Sequence, residues 1–308
     1  MYTVMTQDCS CVFEAVGFCD LTTGGTGGGG GGIGTGGGSG QAGSMYLYGL
    51  GVNGDFTAVN ATLAANAYYQ NYTVPAGVTV KTNNFEVFAS ATLTVAGKLH
   101  NDGNSASGAT PGAQTSPAGT FCNTNTQGGV GNSNGNSVVA FGLGGNGGGG
   151  GAASGGGGTT GGTTTPPTAA EGGLEIRTIA AYMFQGYVSY QGQANGSIIR
   201  YGSSGGGGRD GGGGGAGGSC IKVCAKDVVI EVGGILSANG GDGGTRSDAA
   251  SRGGGGGGGG GVVLVFCQTI DNQGTISATG GAPGAGSAGG GDPGVAGTDG
   301  SVCIFEGV

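Results

Sequence analysis

Nine consecutive glycines at residues 253–261 constrain what this chain can fold into more than any other feature. Glycine has no side chain to bury and loses more freedom on ordering than any other residue. Fixing a backbone costs roughly 1–2 kcal/mol per residue. The chain holds 86 glycines in 308 residues, so ordering them all costs on the order of 100 kcal/mol. The runs are therefore either flexible linkers or segments whose backbones hydrogen-bond densely to one another. Two observations favour order. Only 8% of residues are charged, and compact apolar blocks such as Val262-Val263-Leu264-Val265-Phe266 interrupt the glycine, whereas disordered chains are usually charged and poor in such blocks. Glycine-only stretches adopt an extended polyproline-II-like helix of three residues per turn and about 3.1 Å rise, so residues 253–261 would span roughly 28 Å. Bare helices of this kind can pack closely and bond laterally, N–H to C=O.

The blocks between the glycines recur. Gly97-Lys98-Leu99-His100-Asn101-Asp102-Gly103 aligns with Gly234-Ile235-Leu236-Ser237-Ala238-Asn239-Gly240 and with Gly274-Thr275-Ile276-Ser277-Ala278-Thr279-Gly280. Each is preceded by a block such as Thr92-Leu93-Thr94-Val95, Val228-Val229-Ile230-Glu231-Val232 or Thr269-Ile270-Asp271-Asn272, and Ser301-Val302-Cys303-Ile304-Phe305 opens one more cycle. Short strands separated by Gly or Asn turns at this spacing predict stacked β units, each burying its face against the next. No window holds a helical period, and each glycine would cost a helix about 1 kcal/mol against Ala. The predicted class is mainly β, solenoid-like or layered, with packed polyglycine-II segments. Composition divides the chain into four stretches: a cysteine-containing segment and first glycine run (1–43), a β-rich repeat region (44–103), a Gly/Asn/Thr-rich segment (104–173), and a β-plus-polyglycine region (174–308).

Formal charge is −8, and nine basic residues are scattered from Lys81 to Arg252. That distribution is no phosphate-binding footprint, so nucleic acid is not an expected partner. No stretch reaches the roughly 18 apolar residues of a membrane span. Asp8 and Glu14 interrupt the N-terminal region where a secretory signal would carry its apolar core. These features fit a protein assembled in a host cytoplasm and released by lysis.

Eight cysteines are many for a cytoplasmic protein. Cys9, Cys11, Cys19, Cys122 and Cys220 are disulfide candidates, although pairing cannot be read from spacing. Zinc is the weaker alternative for Cys9, Cys11 and Cys19, whose C-x-C-x7-C spacing is not a standard zinc pattern. Cys224, Cys267 and Cys303 sit in apolar blocks and read as small buried hydrophobes.

Catalytic chemistry has little to stand on. His100 is the single histidine; it occupies a repeat position where the other copies have Ser and reads as a solvent-facing turn residue. Matches to G-x-G-x-x-G are expected by chance at this glycine density, and Gly97-Lys98 is followed by Leu99 instead of the Ser or Thr of a phosphate-binding loop. Asp242, Asp292 and Asp299 suggest calcium, but the G-G-x-G-x-D nonapeptide is absent in register, so turn-forming Asp is the better reading. Tyr182, Phe184, Tyr187, Tyr190, Gln191, Gln193 and Asn195 combine aromatic faces with amides, a set that suits a sugar, against the plainer reading of a packed strand pair. No cofactor is expected.

Residues 53–103 carry a resemblance. Asn53-Gly54-Asp55-Phe56-Thr57 leads into Tyr68-Tyr69-Gln70-Asn71-Tyr72-Thr73-Val74-Pro75-Ala76-Gly77-Val78. Then follow Lys81-Thr82-Asn83-Asn84-Phe85-Glu86-Val87-Phe88 and Ala91-Thr92-Leu93-Thr94-Val95-Ala96-Gly97-Lys98-Leu99-His100-Asn101-Asp102-Gly103. This resembles a segment of glycine-rich tailed-bacteriophage virion proteins: a double-Tyr strand, a G-V-T-V-x-T-N strand, then T-L-x-x-x-G-x-L-x-N-x-G. Residues 253–281 are similar to the polyglycine, apolar strand, N-x-G-T-I-S-A-x-G-G cycle of the same proteins. The two matches cover roughly half the chain, and the cysteine-containing start is not part of the pattern. The resemblance implies a non-enzymatic structural role in a virion, and the glycine runs look like the polyglycine-II layers in adhesin tips of some phage fibres. The expected protein is a rigid fibre or spike, a homotrimer, in contact with other virion proteins and with a host surface glycan. A capsid decoration or cement protein is the alternative, and a β-helix polysaccharide depolymerase ranks third because paired carboxylates in a groove are hard to find among so few acids.

Overall fold

The computed structural model describes residues 47–113, 150, 202, 204–208, 211–246 and 251–307, together with the backbone of residues 140–141 and 164–165. Among these residues the protein is mainly β, with no helix. The strands are β1 (Asp55–Thr57), β2 (Ala61–Thr62), β3 (Ala67–Tyr69), β4 (Asn71–Val74), β5 (Thr79–Lys81), β6 (Val87–Val95) and β7 (Lys98–His100). They continue with β8 (Ala140–Phe141), β9 (Thr164–Thr165), β10 (Cys220–Ile230), β11 (Ile235–Ser237), β12 (Val262–Asn272), β13 (Thr275–Ser277) and β14 (Ser301–Glu306). One sheet runs β1-β4-β6-β10-β12-β14 with β3 also on β6, a second runs β13-β11-β7-β5-β2, and β8 pairs with β9. All these strand pairs are parallel. No helix among the described residues is long and apolar enough to cross a membrane.

Each cycle of sequence lays one strand in the first sheet and one in the second, and β11 and β13 are each followed by a glycine-rich segment. The repeat alignment coincides with the pairing register. Lys98, Ile235 and Thr275 are Cα partners, as are Leu99, Leu236 and Ile276, and His100, Ser237 and Ser277. The glycine that opens each repeat is required by close approach. A Cβ on Gly97 would strike the carbonyls of Pro75 and Val78, one on Gly234 the carbonyl of Val95, and one on Gly274 that of Gly234. Those same corners are bonded from cycle to cycle, Ile235 N–H to Gly97 O and Thr275 N–H to Gly234 O at 2.8 and 2.9 Å.

The inner faces of both sheets share one core. Val74, Leu93, Val95, Val228 and Ile230 from the first sheet pack with Val80, Leu99 and Leu236 from the second. The first halves of β10 and β12 are buried on both faces. That is why residues 262–267 read as a continuous apolar run, as parallel strands covered on both sides do.

Beside the sheets the glycine segments form a bonded array with a period of three. In segment 253–261 the N–H groups of Gly254, Gly257 and Gly260 donate to Asp292, Val295 and Thr298. Those of Gly255, Gly258 and Gly261 donate to Gly244, Gly241 and Ala238, and Gly256 donates to Gly206. Its carbonyls at Gly253, Gly256 and Gly259 accept from Gly212, Gly215 and Gly218, and those at Gly255 and Gly258 from Gly284 and Gly281, all at 2.7–3.0 Å. One segment thus bonds to five neighbours, and every residue in it is buried.

Sequence follows position in this array. In the enclosed segment 253–261 every side is occupied, and all nine residues are glycine. In segment 278–287 the buried residues are Ala278, Gly281, Gly284 and Ser287, one in three. In the outermost segment, 291–300, only Gly291, Gly294, Gly297 and Gly300 turn inward, and the intervening pairs are exposed. The side chains allowed at the margin are put to use. Asp102 Oδ1 accepts the Asn239 N–H at 2.7 Å, and Asn239 Oδ1 in turn accepts the Thr279 N–H at 2.8 Å. Asp242 Oδ1 accepts from Ala282 N–H at 2.7 Å, and Asp299 Oδ1 from Gly280 N–H at 2.8 Å. The expectation that Asp242 and Asp299 form turns is corrected: both lie on straight segments and bond the adjacent one, while Asp292 contributes its carbonyl to Gly254.

Asn83 and Asn84 both take positive φ, 51° and 62°, at the corner before β6. Fully buried there, Asn84 Oδ1 accepts from Asn101 Nδ2 and Ser219 Oγ, each at 2.6 Å, and Asn101 Nδ2 also reaches Cys220 O at 2.9 Å. The repeat has Ala at the equivalent positions 238 and 278, so Asn101 is specific to this junction. Asn101→Ala removes a donor shared by two buried acceptors and is expected to cost roughly 2–4 kcal/mol, measured by denaturant unfolding; a loss as small as that of an exposed Asn would exclude the network as a structural tie.

Candidate functional site

On the second sheet the strands β5, β7 and β11 alternate in and out. Val80, Leu99 and Leu236 point into the core, which leaves Lys81, His100 and Ser237 as a row turned away from it, Ser237 itself fully buried, with Thr79, Lys98 and Ile235 as the next. Just beyond β7, Asp102 gathers this row. Its Oδ2 lies 2.6 Å from Lys98 Nζ, 3.2 Å from His100 Nδ1 and 3.1 Å from Ser237 Oγ, and its Oδ1 takes the Asn239 N–H.

Burial alone would push the Asp102 carboxyl up, but the hydrogen bonds from His100, Lys98 and the Asn239 N–H outweigh it and hold the group well below the usual carboxylate range. A carboxyl depressed in the folded state contributes stability above its unfolded value of about 4 and loses it as pH falls through the folded value. Asp102→Asn is therefore expected to flatten the loss of stability below pH ~4, as read from denaturant midpoints across pH. An unchanged acid limb would remove Asp102 from the account.

His100 does not sit on a solvent-facing turn, as its sequence position suggested. It lies in β7 with its side chain 18% exposed. The Asp102 N–H also approaches His100 Nδ1, at 3.4 Å, a contact that needs that nitrogen as acceptor. The 3.2 Å contact with the carboxylate needs it as donor. The shorter, charge-assisted contact governs, which leaves Nε2 directed away from Asp102. Lys81 is half-buried, and its ammonium has neither hydrogen bond nor ion pair among the described residues. Burial pulls its pKa down, with Asp102 pulling the other way.

The first sheet has a different outer face. Tyr68, Phe88, Cys224, Phe266 and Phe305 are successive Cα partners across β3, β6, β10, β12 and β14. Tyr68 stacks on Phe88 at 4.8 Å and Phe266 on Phe305 at 4.7 Å between centroids. Cys224 separates the two pairs, and Lys222 Nζ lies 5.8 Å from the Phe88 centroid and 6.0 Å from that of Phe266. Lys222 also bonds Glu86 Oε1 at 2.6 Å, in a pair whose side chains are 13% and 4% exposed. The Glu86 N–H donates to Asn66 Oδ1 at 3.0 Å.

Cys224, Cys267 and Cys303 are buried and lie outside any disulfide, and Cys220 is disulfide-bonded. Burial raises the Cys224 thiol to about 12, opposed by Lys222 and aided by Glu86, and raises Cys267 to about 12, aided by Glu306 and Asp227. Alkylation of the native protein at pH 8 followed by peptide mass mapping is expected to leave Cys224 and Cys267 unmodified, with both labelled after unfolding. Labelling of either in the native state would contradict its placement.

Cys9, Cys11, Cys19 and Cys122 lie outside the described residues, as does the aromatic and amide group of Tyr182, Phe184, Tyr187, Tyr190, Gln191, Gln193 and Asn195. Among the described residues no three His, Cys, Asp or Glu side chains converge as a metal site would. Sequence reading did not single out Lys81, Lys98 and Asp102 as a group. The available signal was the alternation Thr79-Val80-Lys81 and Lys98-Leu99-His100, which puts basic residues on the outward side of adjacent strands. The chain matches no family model, no curated protein and no solved structure.

Proposed function

We propose that this chain is a structural component of a bacteriophage particle, a rigid β-solenoid with polyglycine-II segments that forms a fibre or spike and offers an adhesive surface. The observation that carries the reading is the array around residues 253–261. Its residues are bonded to segments from sequence positions as far apart as Gly206 and Thr298, so no local stretch can yield without breaking bonds to several others. Such a body resists bending and proteolysis, which need local opening. The phage resemblance of residues 53–103 and 253–281 supplies the setting.

The chain is expected to assemble as a trimer, and sedimentation of the purified protein as a monodisperse monomer would count against that. Quantitative mass spectrometry of purified particles, with heads and tails separated, tests the role itself. Low copy number in the tail fraction supports the fibre. High copy number in the head fraction assigns a decoration or cement protein instead, and absence from the particle refutes both. Release of oligosaccharide from host capsule would revive the depolymerase.

A further inference from the structure

We propose that the outer face of the second sheet binds an oxyanion, the carboxylate or sulfate of an acidic surface sugar, between Lys81 of β5 and the pair Lys98 and His100 of β7. Register places the three side chains together. Lys81 is the Cα partner of His100, and Thr79, two residues before Lys81, is the partner of Lys98. The chain as a whole carries −8, yet two lysines here face one described carboxylate, Asp102, and leave one positive charge.

Asp102 is already committed. Its two oxygens take Lys98, His100, Ser237 and the Asn239 N–H, so little acceptor capacity is left for Lys81. The Lys81 ammonium has lost part of its hydration and feels the Asp102 charge, yet it has no hydrogen bond or ion pair among the described residues, so a bound anion would offset the remaining cost. Asp102 meanwhile holds Lys98 and His100 side by side, with the imidazole oriented through Nδ1; Nε2 donates to an oxyanion when the ring carries its second proton and otherwise accepts from a sugar hydroxyl. Ser237, next in the row, is fully buried and committed to Asp102, but the exposed Thr79 and Thr275 flank the row and Ser277 lies beyond it. Hydroxyls beside cations suit a sugar that carries both charge and hydroxyl groups.

The proposal deepens the adhesive part of the function above and rests on it. Its test does not depend on where the chain sits in a particle. His100 is the single histidine, so its imidazole C–H signals in histidine-labelled full-length protein report this spot without ambiguity. The probes are sodium glucuronate and sodium sulfate, against glucose and against sodium chloride at matched ionic strength. Saturable shifts with either anion, and none with glucose or chloride, are expected. Stronger binding of glucuronate than sulfate assigns an acidic sugar, and equal binding assigns the oxyanion alone. Lys81→Gln is expected to weaken binding about tenfold, the loss of one charge-assisted contact, while Lys226→Gln, on exposed surface of β10, leaves it unchanged. Absence of a saturable shift, or an equal shift in Lys81→Gln with its fold intact by circular dichroism, overturns the proposal. Particle mass spectrometry could still support the structural role in that case, so the two failures are distinguishable.

Discussion

Alanine at Gly257 is expected to destabilise the protein by at least about 4 kcal/mol, a large share of the stability of an ordinary chain. The new methyl would collide with the Gly281 carbonyl oxygen and lie against that of Ala282. Neither neighbour can withdraw alone. Gly281 donates to Gly258, and Gly257 donates to Val295 on another side. Relief would separate segments along their length, at roughly 0.5–1.5 kcal/mol for each hydrogen bond lost and more where the groups stay buried. Gly54 supplies the control. It has φ +66°, and a methyl added there would meet no atom within 4 Å, so Gly54→Ala meets only the left-handed backbone penalty of about 1–2 kcal/mol. Denaturant unfolding followed by circular dichroism compares the two. If Gly257→Ala costs no more than Gly54→Ala, the bonded array is not the native packing.

Lys222→Ala is expected to cost about 3–5 kcal/mol, because it leaves Glu86 charged, nearly inaccessible and without its cation, with the long 3.4 Å bond from Asn66 Nδ2 on its other oxygen. The pair itself is not the source of that figure. Much of the penalty belongs to the abandoned carboxylate, so the double variant Glu86→Gln with Lys222→Met is expected to recover most of it. Lys222 also lies between the Phe88 and Phe266 rings, and Met retains most of that contact. A single-variant loss under about 1 kcal/mol would place the pair with exposed ion pairs, whose contribution is of that size.

Features repeated along the chain could be read from sequence. The alignment of residues 97–103, 234–240 and 274–280 anticipated which residues face each other across the second sheet, because a parallel stack puts equivalent positions in register. The glycine pattern held more than its abundance revealed. Gly294, Gly297 and Gly300, each followed or preceded by two larger residues, announce a margin with two open sides, and the unbroken run 253–261 announces an enclosed position. The unrepeated contacts were not legible. Lys222 meets Glu86 across 136 positions and Ser219 meets Asn84 across 135, and each pair occurs only once in the cycle. Their residue types are ordinary for strands and corners, so only the assembled structure brings them together. His100 was misread for a related reason. Serine at the equivalent positions suggested exposure, whereas Asp102, unique to that cycle, draws the imidazole down.

The array of glycine segments also sets how the molecule responds to temperature. Exposing apolar surface raises the heat capacity of unfolding by about 0.45 cal/K/mol per Å², and exposing polar surface lowers it by about 0.26. Releasing segments 211–218 and 253–261 would uncover mostly peptide groups, while releasing the shared core of the two sheets would uncover Val, Leu and Ile. In the glycine segments the peptide and methylene terms largely cancel, whereas the core raises the heat capacity strongly. The stability curve is consequently broader than for a protein of this length built around side chains alone, and the glycine region holds its cohesion in the cold, where oily contacts weaken.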